Sequence, residues 1–120
     1  MREIEYRGWD SHNKRWVYGL LLMDAKGHYR IQYDPMRFSV IVDPDSIGEY
    51  TGIKSENDKK IYEGDILTDK FESIGVVEWR DGAFVVNFGD VDVFQIVDCF
   101  DDSYQMWAIG NIHDNPELLE

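Results

Sequence analysis

Two carboxylates stand two positions apart in the run Ile61-Tyr62-Glu63-Gly64-Asp65-Ile66. Paired carboxylates perform general acid–base chemistry when they face each other across a substrate and one of them holds its proton. Glu63 and Asp65 flank a glycine in a tight turn, and neighbours in a turn seldom achieve that separation. Asp65 is expected instead to accept backbone N–H bonds that fix the turn. The single cysteine, Cys99, lies beside Phe100 and between Asp98 and Asp101. Acidic neighbours oppose a thiolate, so it reads as a buried structural cysteine and not as a nucleophile. The three histidines, His12, His28 and His113, are scattered, and none has a second His or a Cys at ligand spacing. Asp43-x-Asp45-x-x-Gly48 imitates the opening of a calcium loop. It fails at the third ligand position, Ile47, and again at Lys54, where a bidentate glutamate belongs. Asp90-x-Asp92 and Asp98-x-x-Asp101-Asp102 read as solvated acidic loops. There is no nucleophile elbow, phosphate-binding glycine loop or zinc-helix motif. These residues point to no catalytic site, no metal and no cofactor. Trp79 and Trp107 remain as candidates for an aromatic recognition patch.

The elements that would carry these residues are strands. Of the 120 residues, 43% are apolar and 14% aromatic, enough to fill a core without disulfides or metals. Alternation marks strands over residues 3–10, 15–23, 28–33 and 38–42, joined by polar turns short enough for hairpins. Asp43 and Pro44 have the residue types of an N-cap and first helical position, which predicts a short helical turn ending at Gly48 or Gly52. Ser55 to Lys60 is a charged loop. Strands follow from Ile66, over 75–79 and over 83–88, with Arg80-Asp81-Gly82 as a hairpin loop. Val93, Ile96, Val97 and Phe100 fall at helical spacing and predict a short helix over 91–100, before a last strand over 104–109. The fold expected is mostly β: an N-terminal antiparallel meander over 1–42, a connector over 43–60, and a partly open SH3-like barrel with a tail over 61–120. The meander and barrel are expected to pack together in a single domain with one or two short helices.

Charge narrows the function classes. The net charge is −12. Residues 1–45 carry seven acidic and seven basic side chains, whereas residues 46–120 carry seventeen and five. An acidic second half repels phosphate backbones, which argues against direct nucleic-acid binding. It suits a basic protein partner, or mimicry of a nucleic acid. One cysteine fits a reducing cytoplasm. The N-terminus lacks the apolar run of a signal peptide, and the longest apolar run, residues 20–23, is far short of a membrane span. The run Phe38-Ser39-Val40-Ile41-Val42 is apolar and uncharged, and an exposed edge of that kind pairs with another chain. A homo-oligomer built through the charge-balanced N-terminal half is therefore expected.

Three blocks resemble the YopX family of phage and prophage proteins. The first is Arg2-Glu3-Ile4-Glu5-Tyr6-Arg7-Gly8-Trp9-Asp10, similar to the family's REIKFRAWD. The second runs from Val42-Asp43-Pro44 through Gly48-Glu49-Tyr50-Thr51-Gly52 to Ile61-Tyr62-Glu63-Gly64-Asp65-Ile66. The third is Ile109-Gly110-Asn111-Ile112-His113-Asp114-Asn115-Pro116-Glu117-Leu118, similar to IGNIYENPEL. Asn57-Asp58 stands where the family has Asn-Gly, and Glu49 and His113 replace Gln and Tyr. The resemblance implies a mostly-β protein of temperate phages acting in the cytoplasm of a bacterial host. It implies no assigned enzyme activity, so no catalytic residue carries over. Tyr50, Thr51, Gly52, Tyr62, Glu63, Gly64 and Asp65 match the family motif, for which a structural role suffices. The function expected is that of a non-enzymatic accessory protein binding a host or phage protein. An acidic, nucleic-acid-mimicking inhibitor of a host DNA- or RNA-binding protein is the alternative. A hydrolase using Glu63 and Asp65 stands third.

Overall fold

The computed structural model describes residues 3–36, 38–89, 92–101 and 103–119. Among these described residues it is mostly β, 55% strand and 7% helical, in two antiparallel sheets with no closed barrel. The chain divides into two compact units, Met1–Tyr50 and Thr51–Glu120.

The first unit begins with β1 (Tyr6–Asp10), β2 (Arg15–Met23), β3 (Tyr29–Gln32) and β4 (Ser39–Ile41), the meander expected from alternation. Short polar loops join them through their own side chains. The Asp10 carboxylate accepts from the backbone N–H groups of His12 and Asn13, both at 3.1 Å. Asp24 does the same for Lys26 and His28, both at 2.9 Å. Aspartate suits these positions because its short carboxylate reaches the backbone two residues on.

The next strand, β5 (Asp43–Lys54), corrects the expectation of a helical turn at Asp43-Pro44. Its first half pairs antiparallel with β1, with Tyr6 opposite Glu49 and Arg7 opposite Gly48. The Asp43 carboxylate accepts from the Asp45 N–H as a helix cap would. However, Ser46 Oγ accepts from the Trp9 N–H at 2.7 Å and donates to the Asp43 carbonyl at 2.6 Å, fixing extended backbone against β1. A ladder of backbone hydrogen bonds outweighs one helical turn, which satisfies few of its own groups.

Within this unit the hydrogen-bonding order is β4-β3-β2-β1-β5. The two end strands are separated in sequence by Val42 alone. Four strand spacings of about 4.8 Å cannot be crossed by so short a link if the sheet is flat. The sheet is therefore strongly curled, with Val42 at the seam, where its N–H donates to the Tyr29 carbonyl at 3.0 Å. Val42, Val17 and Ile31 form the buried core of the curl, flanked by Tyr6, Leu21, Tyr29, Val40 and Ile47.

The second unit starts inside β5, whose last residues neighbour β6 (Lys60–Tyr62). Most of the expected connector is thus strand. Then come β7 (Asp65–Thr68), β8 (Ile74–Arg80), β9 (Ala83–Asn87), β10 (Val93–Gln95) and β11 (Trp107–Asn111). Asp81 and Gly82, with φ of 53° and 84°, form the two-residue hairpin turn that the Asp-Gly pair predicts. The sheet order is β10-β9-β8-β7-β11, so the last strand returns to the first, and the sheet stays open, as a partly open barrel requires.

The short helix expected over 91–100 is corrected too. Val93–Gln95 pair with Val85–Asn87, and only Ile96–Cys99 turn, as one 3-10 turn. Ile96 and Cys99, three apart, are buried by that turn while Val97 stays exposed, so the helical spacing was half real. A second 3-10 turn covers Pro116–Leu119. The core of this unit is Ile61, Leu67, Val77, Phe84, Val86, Ile96, Cys99 and Met106.

Candidate functional site

The central motif lies in and around a tight turn. Glu63 and Gly64 form the two-residue turn between β6 and β7, and Gly64 adopts φ 92°, the left-handed value a type II turn assigns to glycine. The Tyr62 N–H donates to Asp65 Oδ2 at 2.8 Å, as the turn reading required. The Gly64 N–H donates to the Val77 carbonyl, and the Ile112 N–H donates to the Gly64 carbonyl, both at 2.9 Å. One glycine thus ties the turn to β8 and to the end of β11. Upstream, Thr51 Oγ1 donates to the Ile61 carbonyl at 2.8 Å and accepts from the Ile53 N–H at 3.2 Å. Gly52 takes φ 89°. Tyr50 and Tyr62 are buried, and the Tyr50 N–H donates to the Glu5 carbonyl. Asp65 is only 4% exposed. Its carboxylate accepts from the backbone within the turn.

The other candidates separate. Trp107 lies opposite Thr68, which lies opposite Ile74, whereas Trp79 sits five residues further along β8. An odd step reverses the face, and five residues span about 17 Å. The two tryptophans therefore occupy opposite faces and opposite ends of the sheet. Trp79 packs edge-on against Phe84 at 4.7 Å between centroids. His28 and His113 each lie 3.3 Å from a neighbouring aspartate, Asp24 and Asp114, in separate loops. Asp43 and Asp45 are strand residues. Asp90 and Asp102 lie outside the described residues, and among the described residues no group of three His, Cys, Asp or Glu is placed to hold a metal.

Sequence reasoning missed Asp69. Its buried carboxylate accepts from the Phe71 N–H at 2.9 Å, the Ser73 N–H at 3.0 Å and the Tyr104 hydroxyl at 2.5 Å. Burial pushes this carboxyl up, but the Tyr104 hydroxyl and the two N–H groups outweigh it and hold it below the ordinary value. Burial, then the bond to Asp69, raises the Tyr104 phenol, which stays a donor. An aspartate two and four residues before its backbone donors is a readable turn signal. Its link to a tyrosine 35 residues away is not.

Beside this hub is a cleft of ≈ 610 Å³ lined by Ser73, Ile74, Phe88, Asp92, Phe94, Asp98, Cys99 and Tyr104. Burial, then Asp98 and Asp69, pushes the Cys99 thiol up to about 11, so it holds its proton at neutral pH.

In the first unit, the register places Leu20 opposite Gln32 and Leu22 opposite Arg30, and Arg30 in turn opposite Ile41. Tyr18, Leu20, Leu22 and Ile41 thus share one face, at 46%, 51%, 40% and 47% exposure. The run 38–42 is split between faces: Val40 and Val42 join the core, while Phe38 and Ile41 are exposed.

The chain is mostly β, in two units, and its most distinctive motif makes hydrogen bonds between strands. The chain belongs to the YopX family, whose model (YopX protein) matches residues 5–120. It is also similar to protein EF1440 from Enterococcus faecalis, known from a crystal structure. The two share 28% identity over 100% of each chain, with a TM-score of 0.68. No protein of curated function matches the sequence.

Proposed function

We propose that the chain is a non-enzymatic accessory protein of a temperate phage or prophage, acting in the bacterial cytoplasm as a protein-interaction module. Its contact surface on this reading is the exposed face of the meander, and the occupant is a second copy of the chain. The observation that carries this is the shared, exposed face of Tyr18, Leu20, Leu22 and Ile41. Exposed apolar residues sharing a sheet face, here with Arg30 and Gln32 of β3 between Leu20, Leu22 and Ile41, favour contact with a partner over contact with water. Charge balance supports a second copy as that partner. Residues 1–45 carry equal numbers of acidic and basic side chains, so the faces meet without net repulsion from the residues that form them. The phage setting is what the resemblance of the three sequence blocks to the YopX family implies.

Sedimentation velocity at micromolar concentration tests it. The wild type is expected above its 14.1 kDa monomer mass. The double variant Leu20→Lys, Leu22→Lys is expected at that mass and still folded, with a wild-type circular dichroism spectrum and a melting temperature lowered only by the loss of association. A wild-type monomer would overturn self-association and leave this face to a host or phage protein.

A second reading is favoured by one observation, the seventeen acidic against five basic residues after position 45. On it the chain mimics a nucleic acid and occupies the basic cleft of a host protein. Such a complex would weaken steeply above physiological salt, where screening acts within about 8 Å. A hydrolase using Glu63 and Asp65 finds no support, because the Asp65 carboxylate is committed to its turn.

A further inference from the structure

The cleft in the second unit has a one-sided chemistry. Its charged lining is acidic, and apart from the weakly donating Cys99 thiol its polar side chains are carboxylates and hydroxyls. Asp92 and Asp98 are exposed, and neither carboxylate has a hydrogen bond or ion pair with another described residue. The Tyr104 hydroxyl donates its proton to Asp69, and the Ser73 backbone N–H donates to the same carboxylate. Asp69 is ionised at neutral pH and can only accept, so the Tyr104 hydroxyl turns its lone pairs, not its proton, toward other partners. No lysine or arginine lines the cleft. Its apolar lining is largely aromatic. Phe88 and Phe94 meet edge to face, 5.8 Å between centroids and 74° between planes, and Phe94 is 51% exposed. The Phe88 N–H donates to the Asp92 carbonyl at 2.7 Å, which holds these two lining residues side by side.

We infer that this cleft receives an arginine side chain from a basic segment of a partner protein. A guanidinium has donors and no acceptors, a planar face that stacks on a phenyl ring, and an apolar stem. Each property meets its complement here: carboxylates and the Tyr104 hydroxyl lone pairs, the half-exposed ring of Phe94, and the walls of Ile74 and Phe88. The wider charge excess after residue 45 draws basic segments toward this unit and has no part in the contact itself. The site does not depend on self-association, which concerns the other unit.

The probe is a capped Gly-Arg-Gly tripeptide, titrated into labelled full-length protein and followed by amide chemical shifts. The control is the same tripeptide with citrulline, which keeps the shape and loses the charge. Expected are saturable shifts at Phe88, Asp92, Phe94 and Asp98, with a dissociation constant on the order of millimolar for so small a contact. The citrulline peptide should leave those amides in place. Phe94→Leu keeps apolar bulk and removes the ring face, and Asp98→Asn removes one charge. Each should weaken the arginine peptide at least about threefold, as expected for an exposed cation–π or ionic contact. Both positions are exposed, so the variants should melt like the wild type. Asp92→Asn replaces Asp98→Asn should the latter fail to fold. Equal shifts with citrulline, no saturation, or undiminished binding by Phe94→Leu would each overturn the assignment.

Discussion

Asp58 adopts φ 65° in the loop between β5 and β6, a left-handed conformation that costs a residue with a Cβ about 1 kcal/mol or more. This is the position where the family resemblance sets glycine after Asn57. The loop still closes, because the Ser55 N–H donates to the Lys59 carbonyl and the Asp58 N–H donates to the Ser55 carbonyl, both at 2.9 Å. Aspartate tolerates this region better than most residues, which is why the turn survives the replacement. Its ion pair with Lys54, at 3.6 Å, is exposed and contributes little. Asp58→Gly should therefore stabilise the protein by about 0.5–1 kcal/mol, since relief of the strained φ exceeds the loss of the pair. Urea denaturation measures this directly. A variant less stable than the wild type would mean that the ion pair outweighs the strain.

At the scale of elements, the decisive link is the Glu63-Gly64 turn, which joins β6 to β7 and reaches β8 and β11 through Val77 and Ile112. Valine at Gly64 would be β-branched at φ 92°, where it clashes with its own backbone, and any relaxation would pull on two strand contacts at once. Gly64→Val should lose about 3 kcal/mol or fail to fold. Glu63→Gln, at a half-exposed turn position that needs no positive φ, should stay within about 0.5 kcal/mol. Equal melting temperatures for Gly64→Val and the wild type would remove this turn from the account. The turn was legible in the sequence because its chemistry is local: Asp65 and its donor Tyr62 are three residues apart. The hairpins of the meander and the Asp81-Gly82 turn were legible for the same reason. β5 was not, because extended backbone at Asp43-Pro44 depends on Trp9, which bonds Ser46 across 37 positions. β10 was hidden likewise, its three residues being claimed by a partner strand against their helical spacing. The cleft was least legible of all. Phe88, Asp92, Asp98 and Tyr104 become neighbours only when β9, the 3-10 turn and the approach to β11 are folded together.

For the molecule as a whole, the acid limb of stability follows from where its hydrogen-bonded aspartates lie. In the first unit, the Asn13 side chain foremost, then its backbone and Arg15, hold the Asp10 carboxyl below the ordinary value of 3.8 against the effect of burial. The His28 backbone N–H foremost lowers Asp24. In the second unit, burial raises Asp69 but its donors more than offset this, and the Ser103 backbone N–H foremost lowers Asp101. A carboxyl whose folded value is lowered makes the unfolded chain bind more protons, so stability rises with pH through that window. Its contribution is complete above 3.8 and is lost as pH falls below 3.8 through the lowered folded value. The net charge of −12 acts in the opposite sense, because protonating the remaining carboxylates relieves their mutual repulsion. That relief is diffuse and screened at moderate salt, whereas the four aspartates close specific loops, so loss of the loops should dominate. Because each unit holds two such residues, both should fail in one window. The tryptophans report on them separately: Trp9 and Trp16 lie in the first unit, and Trp79 and Trp107 in the second. An acid titration at moderate salt, followed by fluorescence in a Trp79→Phe, Trp107→Phe variant and by circular dichroism in the wild type, should give coincident transitions beginning below about pH 4. Two separated transitions, or unfolding already under way between pH 7 and 5, would show that something other than these loop aspartates sets the acid stability.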